Sequence, residues 1–432
     1  MRPTYSVKNE IFDPFAQESE VRAYCRRMPA VLDHAINAEL WDENGNRYID
    51  FLSACGAMNY GHNNRTLKAE LIDFLQNDGV AAALDLHTVQ KRKLLAAFRE
   101  TVMRPRGLDY KIQFPGPTGT NAVEAAIKLS RKVTGRQSIV AFSNGFHGMT
   151  MGALALTGNQ AARRAAGVPL PNVHRLPFEG YRDASAAELL RYETLVNDPS
   201  GGCDAPAAFI VETVQGEGGL NVASNAWLQS LAAVASRMGS LLIVDDIQAG
   251  CGRSGTFFSF ERAGIRPDIV CLSKSISGYG LPMSLVLIKP DLDHWSPGEH
   301  NGTFRGNTLA FVTACAALSF WRQPSFVAGI EERSHIVSRW LHQISARNPE
   351  QLSHRGIGLM QGISFSDPDC ARRVATRAFN NGILIETCGP RGEVLKIMPP
   401  LTIELEILSE GLDKLRYAVE REVSIHASAI AA

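Results

Sequence analysis

Two short apolar runs each stop on a charged residue. Leu241-Leu-Ile-Val-Asp245 ends on an aspartate, and Val270-Cys-Leu-Ser-Lys274 ends on a lysine. In an open α/β sheet, ligands sit in the crevice beyond the carboxyl ends of the strands, so the pattern predicts that Asp245 and Lys274 face one pocket. A lysine in such a place is a nucleophile toward carbonyls and a proton carrier once its pKa falls. A Schiff-base lysine together with an aspartate that pairs with a pyridinium nitrogen is what pyridoxal 5'-phosphate (PLP) asks of a protein. The plainer alternatives are a surface lysine on a loop and a turn or helix-capping aspartate.

Further residues are spaced to serve the same pocket. Pro115-Gly-Pro-Thr118-Gly119-Thr120 reads as a tight turn opening a helix over Asn121 to Thr134, which stops at Gly135. Free N-H groups and the positive dipole end of such a helix suit a phosphate, although any capped helix needs a similar turn. Asn144-Gly-Phe146-His147-Gly-Met149 follows a strand, and its two rings supply either a flat face for a cofactor or ordinary core packing. Glu212 closes the strand Ala207-Ala-Phe-Ile-Val, and Gln215-Gly-Glu217-Gly-Gly reads as a loop. The polar loop Pro297 to Asn307, with Thr303 and Arg305, is long enough to be functional. Gly250-Cys-Gly252-Arg-Ser-Gly255 matches the dinucleotide pattern, but it starts beyond the end of its strand and no helix follows, so we exclude nicotinamide binding.

These residues need a scaffold. Strands alternating with helices through the middle of the chain predict an α/β fold with a mainly parallel sheet and helices on both faces. A chain of 432 residues with 45% apolar and 20% charged residues is globular and too long for one core, so we expect two domains. We divide it into an N-terminal segment 1–60 belonging to the small domain, a large domain 61–325 and a C-terminal small domain 326–432. Residues 21–38 read as a mixed helical stretch, and Leu40 to Phe51 as two strands about an Asn-Gly turn. Past about residue 330 the pattern turns to α+β, through Gly382-Ile-Leu-Ile-Glu386 and Val394-Leu-Lys396-Ile-Met-Pro-Pro-Leu401.

Basic and acidic residues balance at 44 each, which leaves no electrostatic footprint for nucleic acid or an anionic membrane. Met1 to Lys8 shows no signal-peptide pattern, and no apolar run is long enough to span a bilayer. The eight cysteines form no C-x-x-C pair and the histidines no metal spacing, so we expect free thiols, no metal site and a cytoplasmic location.

With these pieces together, the chain resembles the class III (omega) aminotransferases of the PLP fold-type I superfamily. Within that family it is most similar to the branch that acts on diaminobutyrate and 2-oxoglutarate. The stretches that carry the likeness include Phe114 to Glu124, Asn144 to Met149, Leu272 to Pro282, Gly298 to Asn307 and Pro399 to Thr402. The resemblance implies a large domain with a seven-stranded sheet, a smaller α+β domain built from both termini, and a homodimer or dimer of dimers. It implies that Lys274 carries the cofactor and shuttles the proton, that Asp245 pairs with the ring nitrogen and that Gln248 bonds the phenolic oxygen. Phe146 and Ile247 would flank the ring with His147 beside them, and Gly119 and Thr120 would hold the phosphate, joined by Thr303 of the partner subunit. Glu217 matches a switch glutamate, with Glu212 near it in a less defined role.

Two positions depart from the wider family. Met149 and Lys396 stand where many relatives have arginine, and a lysine lacks the fork that grips a carboxylate. Arg305, where many relatives have glycine, is the obvious substitute, with Lys396 or Arg305 as the cation for Glu217. The readings left open are transamination of diaminobutyrate with 2-oxoglutarate, a same-fold enzyme acting on another diamine or diamino acid or as an aminomutase, and a silent scaffold. The intact Lys274, Asp245 and Gln248 argue against the last.

Overall fold

The computed structural model describes residues 14–431. Its centre is a seven-stranded sheet in the spatial order 111–113, 285–288, 269–272, 241–245, 208–211, 139–142 and 173–176. Only Leu285–Ile288 runs against its neighbours. The strands are continuous apolar runs because both of their faces are covered. Val140, Phe209, Leu242, Val244 and Val270 pack in one core with Trp227, Leu228 and Leu231 of the helix Asn225–Arg237. Ile139, Ile210, Leu241, Ile243 and Ile269 pack in another with Ala122, Ala126 and Leu129 of the helix Gly119–Thr134. Successive strand side chains alternate between faces, so Asp245, next in the odd-numbered series, emerges on the side of the Gly119 helix.

A second core joins the two ends of the chain. Ala38, Ile49 and Phe51 pack with Trp340, Ile363, Leu395, Ile397 and Leu415. The strands Leu352–Ile357, Met360–Phe365, Val394–Ile397 and Glu386–Cys388 form an antiparallel sheet here. Ile383–Leu384 runs parallel to Arg47–Asp50, and so ties the N-terminal strands to the C-terminal part.

Residues 21–38 are not the helical stretch expected. One helical turn, Tyr24–Arg27, stops before Pro29, and Leu32–Ile36 is an edge strand paired with Glu39–Asp42. Proline cannot continue a helix, and Asn37, at φ +50°, makes the two-residue hairpin turn that returns the chain. The Asn-Gly turn between Glu39–Asp42 and Arg47–Asp50 is as expected. Met1 to Lys8, read above for targeting signals, lies outside the described residues. Among the described residues no helix is long and apolar enough to cross a membrane.

The glycine pattern at 250–255 folds back on itself instead of opening a helix: Cys251 N donates to Phe257 O at 2.7 Å and Gly252 N to Thr256 O at 3.1 Å. It carries the fully buried Arg253, whose guanidinium donates to Leu359 O at 3.0 Å, to Pro399 O and to Asn59 Oδ1. One side chain thus fastens the sheet domain to the second core. Arg253→Met fills similar volume but leaves three buried acceptors without a donor, at about 1–3 kcal/mol each. Urea unfolding of the variant is expected to show a loss of about 3 kcal/mol or more, through a lower midpoint at unchanged slope.

Candidate active site

Lys274 follows the strand Ile269–Leu272 by two residues and sits at φ +51°, a left-handed conformation that costs a side-chain-bearing residue. Its flanks hold it there. Ser273 Oγ donates to Met283 O at 2.9 Å, and Ser275 Oγ donates to Gly56 O at 2.7 Å while accepting from Asn59 N at 3.1 Å. Burial lowers the pKa of the Lys274 ammonium, against an opposing pull from Glu217.

Asp245, at the end of its strand, is 4% exposed. Its Oδ2 lies 2.7 Å from His147 Nδ1, and Oδ1 accepts from Ile247 N at 3.2 Å. A carboxylate cannot donate, so His147 Nδ1 carries the hydrogen. His147 is itself buried, with its backbone N on Thr157 Oγ1 at 3.0 Å. Its ring is therefore engaged as a hydrogen-bond partner of Asp245, a role that neither flat-face stacking nor plain core packing anticipates.

The Gly119 helix begins two residues earlier than its spacing predicts, with Thr118 extended before it. A Cβ on Gly119 would meet the Ile247 side chain at 3.0 Å, so the helix start and the strand end approach closely. Thr120 Oγ1 is 2.6 Å from Thr150 Oγ1, which donates to Glu124 at 2.6 Å. Glu212 braces two loops at once: Oε1 accepts from Phe146 N at 2.8 Å and Oε2 from Gly216 N at 3.2 Å. Burial pushes its pKa up to about 7.

Beyond Gly216 lies a chain of charges. Lys396, with 0% exposure, has its Nζ 2.7 Å from Glu217 Oε1 and 2.9 Å from Glu386 Oε1. Burial alone would raise the Glu217 pKa, but Lys396 and then Lys274 hold it down, at about 2. Gln248 Nε2 donates to Cys55 O at 3.0 Å and to Glu217 Oε1 at 3.3 Å. Of the two cations considered for Glu217, Lys396 is the one in contact. Arg305 pairs instead with Asp85 at 2.9 Å, in a cavity of about 290 Å³ that also touches Lys91, Trp295 and His300. Thr303 is exposed on the same loop, beside Phe304, which is 75% exposed.

The residues fit PLP. A buried carboxylate backed by histidine and a glycine-opened helix meet at Ile247, a half-buried lysine with lowered pKa follows the adjacent strand, and Gln248 Oε1 is buried without a partner among the described residues. An orphaned polar atom of that kind marks a position that a ligand completes. Among the described residues no cluster of three or more His, Cys, Asp or Glu side chains is arranged to hold a metal ion. Neither Glu386 nor the pairing of His147 with Asp245 is anticipated by the sequence reading. Glu386 carried a usable signal, because it closes the apolar run Gly382-Ile-Leu-Ile-Glu386 as Asp245 closes its own.

Residues 22–419 match the family Aminotransferase class-III. The chain is 55% identical over 404 residues to a diaminobutyrate--2-oxoglutarate transaminase of Nocardia farcinica, covering 93% of this chain and 92% of that one. It is 54% identical over 405 residues to another of that name from Streptomyces coelicolor, covering 93% and 96%. In structure it is similar to the ornithine aminotransferase of Toxoplasma gondii, with TM-score 0.81 at 24% identity over 96% of this chain and 94% of that one.

Lys396→Met strands two carboxylates, one of them deeply buried, and is expected to cost about 3–5 kcal/mol near neutral pH. The sign with pH follows from Glu217: its folded pKa lies below the ordinary 4.5, so the pairing stabilises fully above that value and fades as pH falls toward about 2. The stability gap between wild type and variant, measured by urea unfolding, should therefore narrow across that window. A gap that stays constant with acid would show that Lys396 contributes by packing instead.

Proposed function

We propose that this chain, which belongs to the class III aminotransferases, transfers the terminal amino group of L-2,4-diaminobutyrate to 2-oxoglutarate, giving aspartate 4-semialdehyde and glutamate. One observation carries the proposal: Asp245 closes one strand and Lys274 follows the end of its parallel neighbour, in a chain more than half identical, over nine tenths of its length, to transaminases of that name. The enzyme is PLP-dependent, and bound PLP supplies an electron-withdrawing ring and a carrier for the amino group between the half-reactions.

The protein's part is to bind, orient and move protons. Lys274 Nζ would hold the cofactor and, as a free amine, would serve as the base that carries a proton at the donor carbon. Its lowered pKa supports that use at neutral pH. Asp245, with His147 Nδ1 on its Oδ2, would pair with the ring nitrogen. Ile247 and Phe146 would flank the ring, Gln248 would meet the phenolic oxygen, and Gly119 and Thr120 would offer helix N-H groups and a hydroxyl to the phosphate. Glu212 serves by holding the Phe146 turn in place.

We further infer a homodimer or dimer of dimers, in which Thr303 reaches the phosphate of the neighbouring site and Arg305 takes a substrate carboxylate. The exposure of Thr303 and Phe304, and the absence of any contact from Arg305 to Glu217 among the described residues, support a role across subunits. The division into segments 1–60, 61–325 and 326–432 is supported by the core that Ile49 and Phe51 share with Leu395 and Leu415. Cytoplasmic placement is supported by eight free cysteines.

Purified enzyme given L-2,4-diaminobutyrate and 2-oxoglutarate is expected to form glutamate stoichiometrically with the semialdehyde. Lys274→Ala should abolish turnover, and Asp245→Asn should slow it by about 100-fold or more with little loss of stability. Product formed without any 2-oxo acid would point to an aminomutase and defeat the proposal. Arg305→Lys keeps the charge but loses the fork, so KM for a carboxylate substrate should rise about tenfold. Unchanged KM values in both half-reactions would place carboxylate binding elsewhere.

A further inference from the structure

Two carboxylates share the one ammonium of Lys396, so these three groups carry a surplus negative charge, which Lys274, not in contact with either glutamate, offsets only while its own amine is protonated. The two glutamates differ in access, the Glu386 side chain being 3% exposed and that of Glu217 33%. Glu386 is also held through Oε2 by the Tyr24 hydroxyl at 3.1 Å, and the same hydroxyl lies 2.8 Å from Cys55 Sγ. Burial, and then the Glu386 charge, raise the pKa values of both Tyr24 and Cys55, so neither adds a charge of its own. Among the described residues the inner carboxylate therefore has no cation in contact except Lys396.

Glu217 feels the result. Lys396 Nζ and Gln248 Nε2 both donate to its Oε1, at 2.7 and 3.3 Å, while its Oε2 accepts no hydrogen bond among the described residues. With Glu386 removed, Glu217 and Lys396 would be a neutral pair with little pull on a further cation. With Glu386 present, its carboxylate 2.9 Å from Lys396 Nζ offsets that ammonium from the buried side, so Glu217, which takes the Lys396 hydrogen bond, keeps net negative charge toward the pocket.

We propose that Glu386 determines donor specificity: by holding Lys396 from behind, it leaves Glu217 Oε2 to receive the second ammonium group of a diamino donor. This rests on the transaminase reading above and names the feature of the donor that the site selects. L-2,4-Diaminobutyrate and gamma-aminobutyrate share the terminal amine and the carboxylate and differ only in the 2-ammonium, so the pair isolates the interaction. The same surplus repels a substrate carboxylate from Lys396. Glu386 is thus a positioning residue that acts through Lys396 on both partners, in opposite senses.

The test compares holoenzymes of wild type, Glu386→Gln, Glu386→Asp and Glu217→Gln. For each, three quantities are measured: the specificity constant with L-2,4-diaminobutyrate, the specificity or inhibition constant with gamma-aminobutyrate, and the Michaelis constant for the acceptor 2-oxoglutarate. Glu386→Gln should cut the preference for the diamino ligand about tenfold or more, and the Michaelis constant for 2-oxoglutarate should fall, because Lys396 is released. A merely structural role would worsen both substrates together. Glu386→Asp, which keeps the charge, should keep most of the preference, and Glu217→Gln, at an accessible position, should lose it. Wild-type preference retained in either glutamine variant overturns the proposal and leaves the transaminase reading standing. A wild-type enzyme that handles the two ligands alike also overturns the proposal alone; the transaminase reading falls only if diaminobutyrate and 2-oxoglutarate yield no glutamate.

Discussion

A carboxylate at the end of a strand buried on both faces has no water to solvate it. Asp245 is in that position, and a hydrogen bond from His147 and another from Ile247 N meet its need. Satisfying it draws in the rest of the site. His147 has to lie on the turn after Phe142, that turn is braced by Glu212 through Phe146 N, and the other oxygen of Glu212 holds Gly216 N. Glu217 is the next residue. A chain of hydrogen bonds and peptide links therefore runs from Asp245 to Glu217, and a slack link anywhere along it would misplace both.

The site draws on both cores. Asp245, Lys274 and Glu217 belong to the sheet and its loops, whereas Lys396 and Glu386 sit on paired strands of the second core. Glu386 and Lys396 are cross-strand partners, which fixes their separation independently of anything the sheet domain does. The charged cluster of Lys396, Glu217 and Glu386 is thus assembled only when the two cores are docked, and Arg253, spanning them, helps to keep them so.

Much of this is legible from residue order. Apolar runs that end on Asp245 and Lys274, a glycine turn before the helix at 119 and the αβ alternation follow from local periodicity, and each reappears in the sheet order. Partner choice is not legible, because it depends on contacts between distant segments. His147 and Asp245 are 98 positions apart, and Lys396 and Glu217 are 179 apart. Nor can spacing tell that Arg305 settles on Asp85, since a loop arginine has many carboxylates within reach of its length. The edge strand Leu32–Ile36 reads as helical in sequence because an exposed edge lacks the alternation that marks a half-buried strand.

Lys274 occupies a backbone conformation that glycine adopts freely and a lysine does not. The strain, of order 1–3 kcal/mol, is met by the serines on either side, whose hydroxyls tie them to distant carbonyls. Glycine at this position would relieve the strain and leave those ties intact. The chain therefore gives up some folding stability to aim one amine, and a search for more stable variants guided by folding alone would be drawn toward replacing the lysine that we propose holds the cofactor.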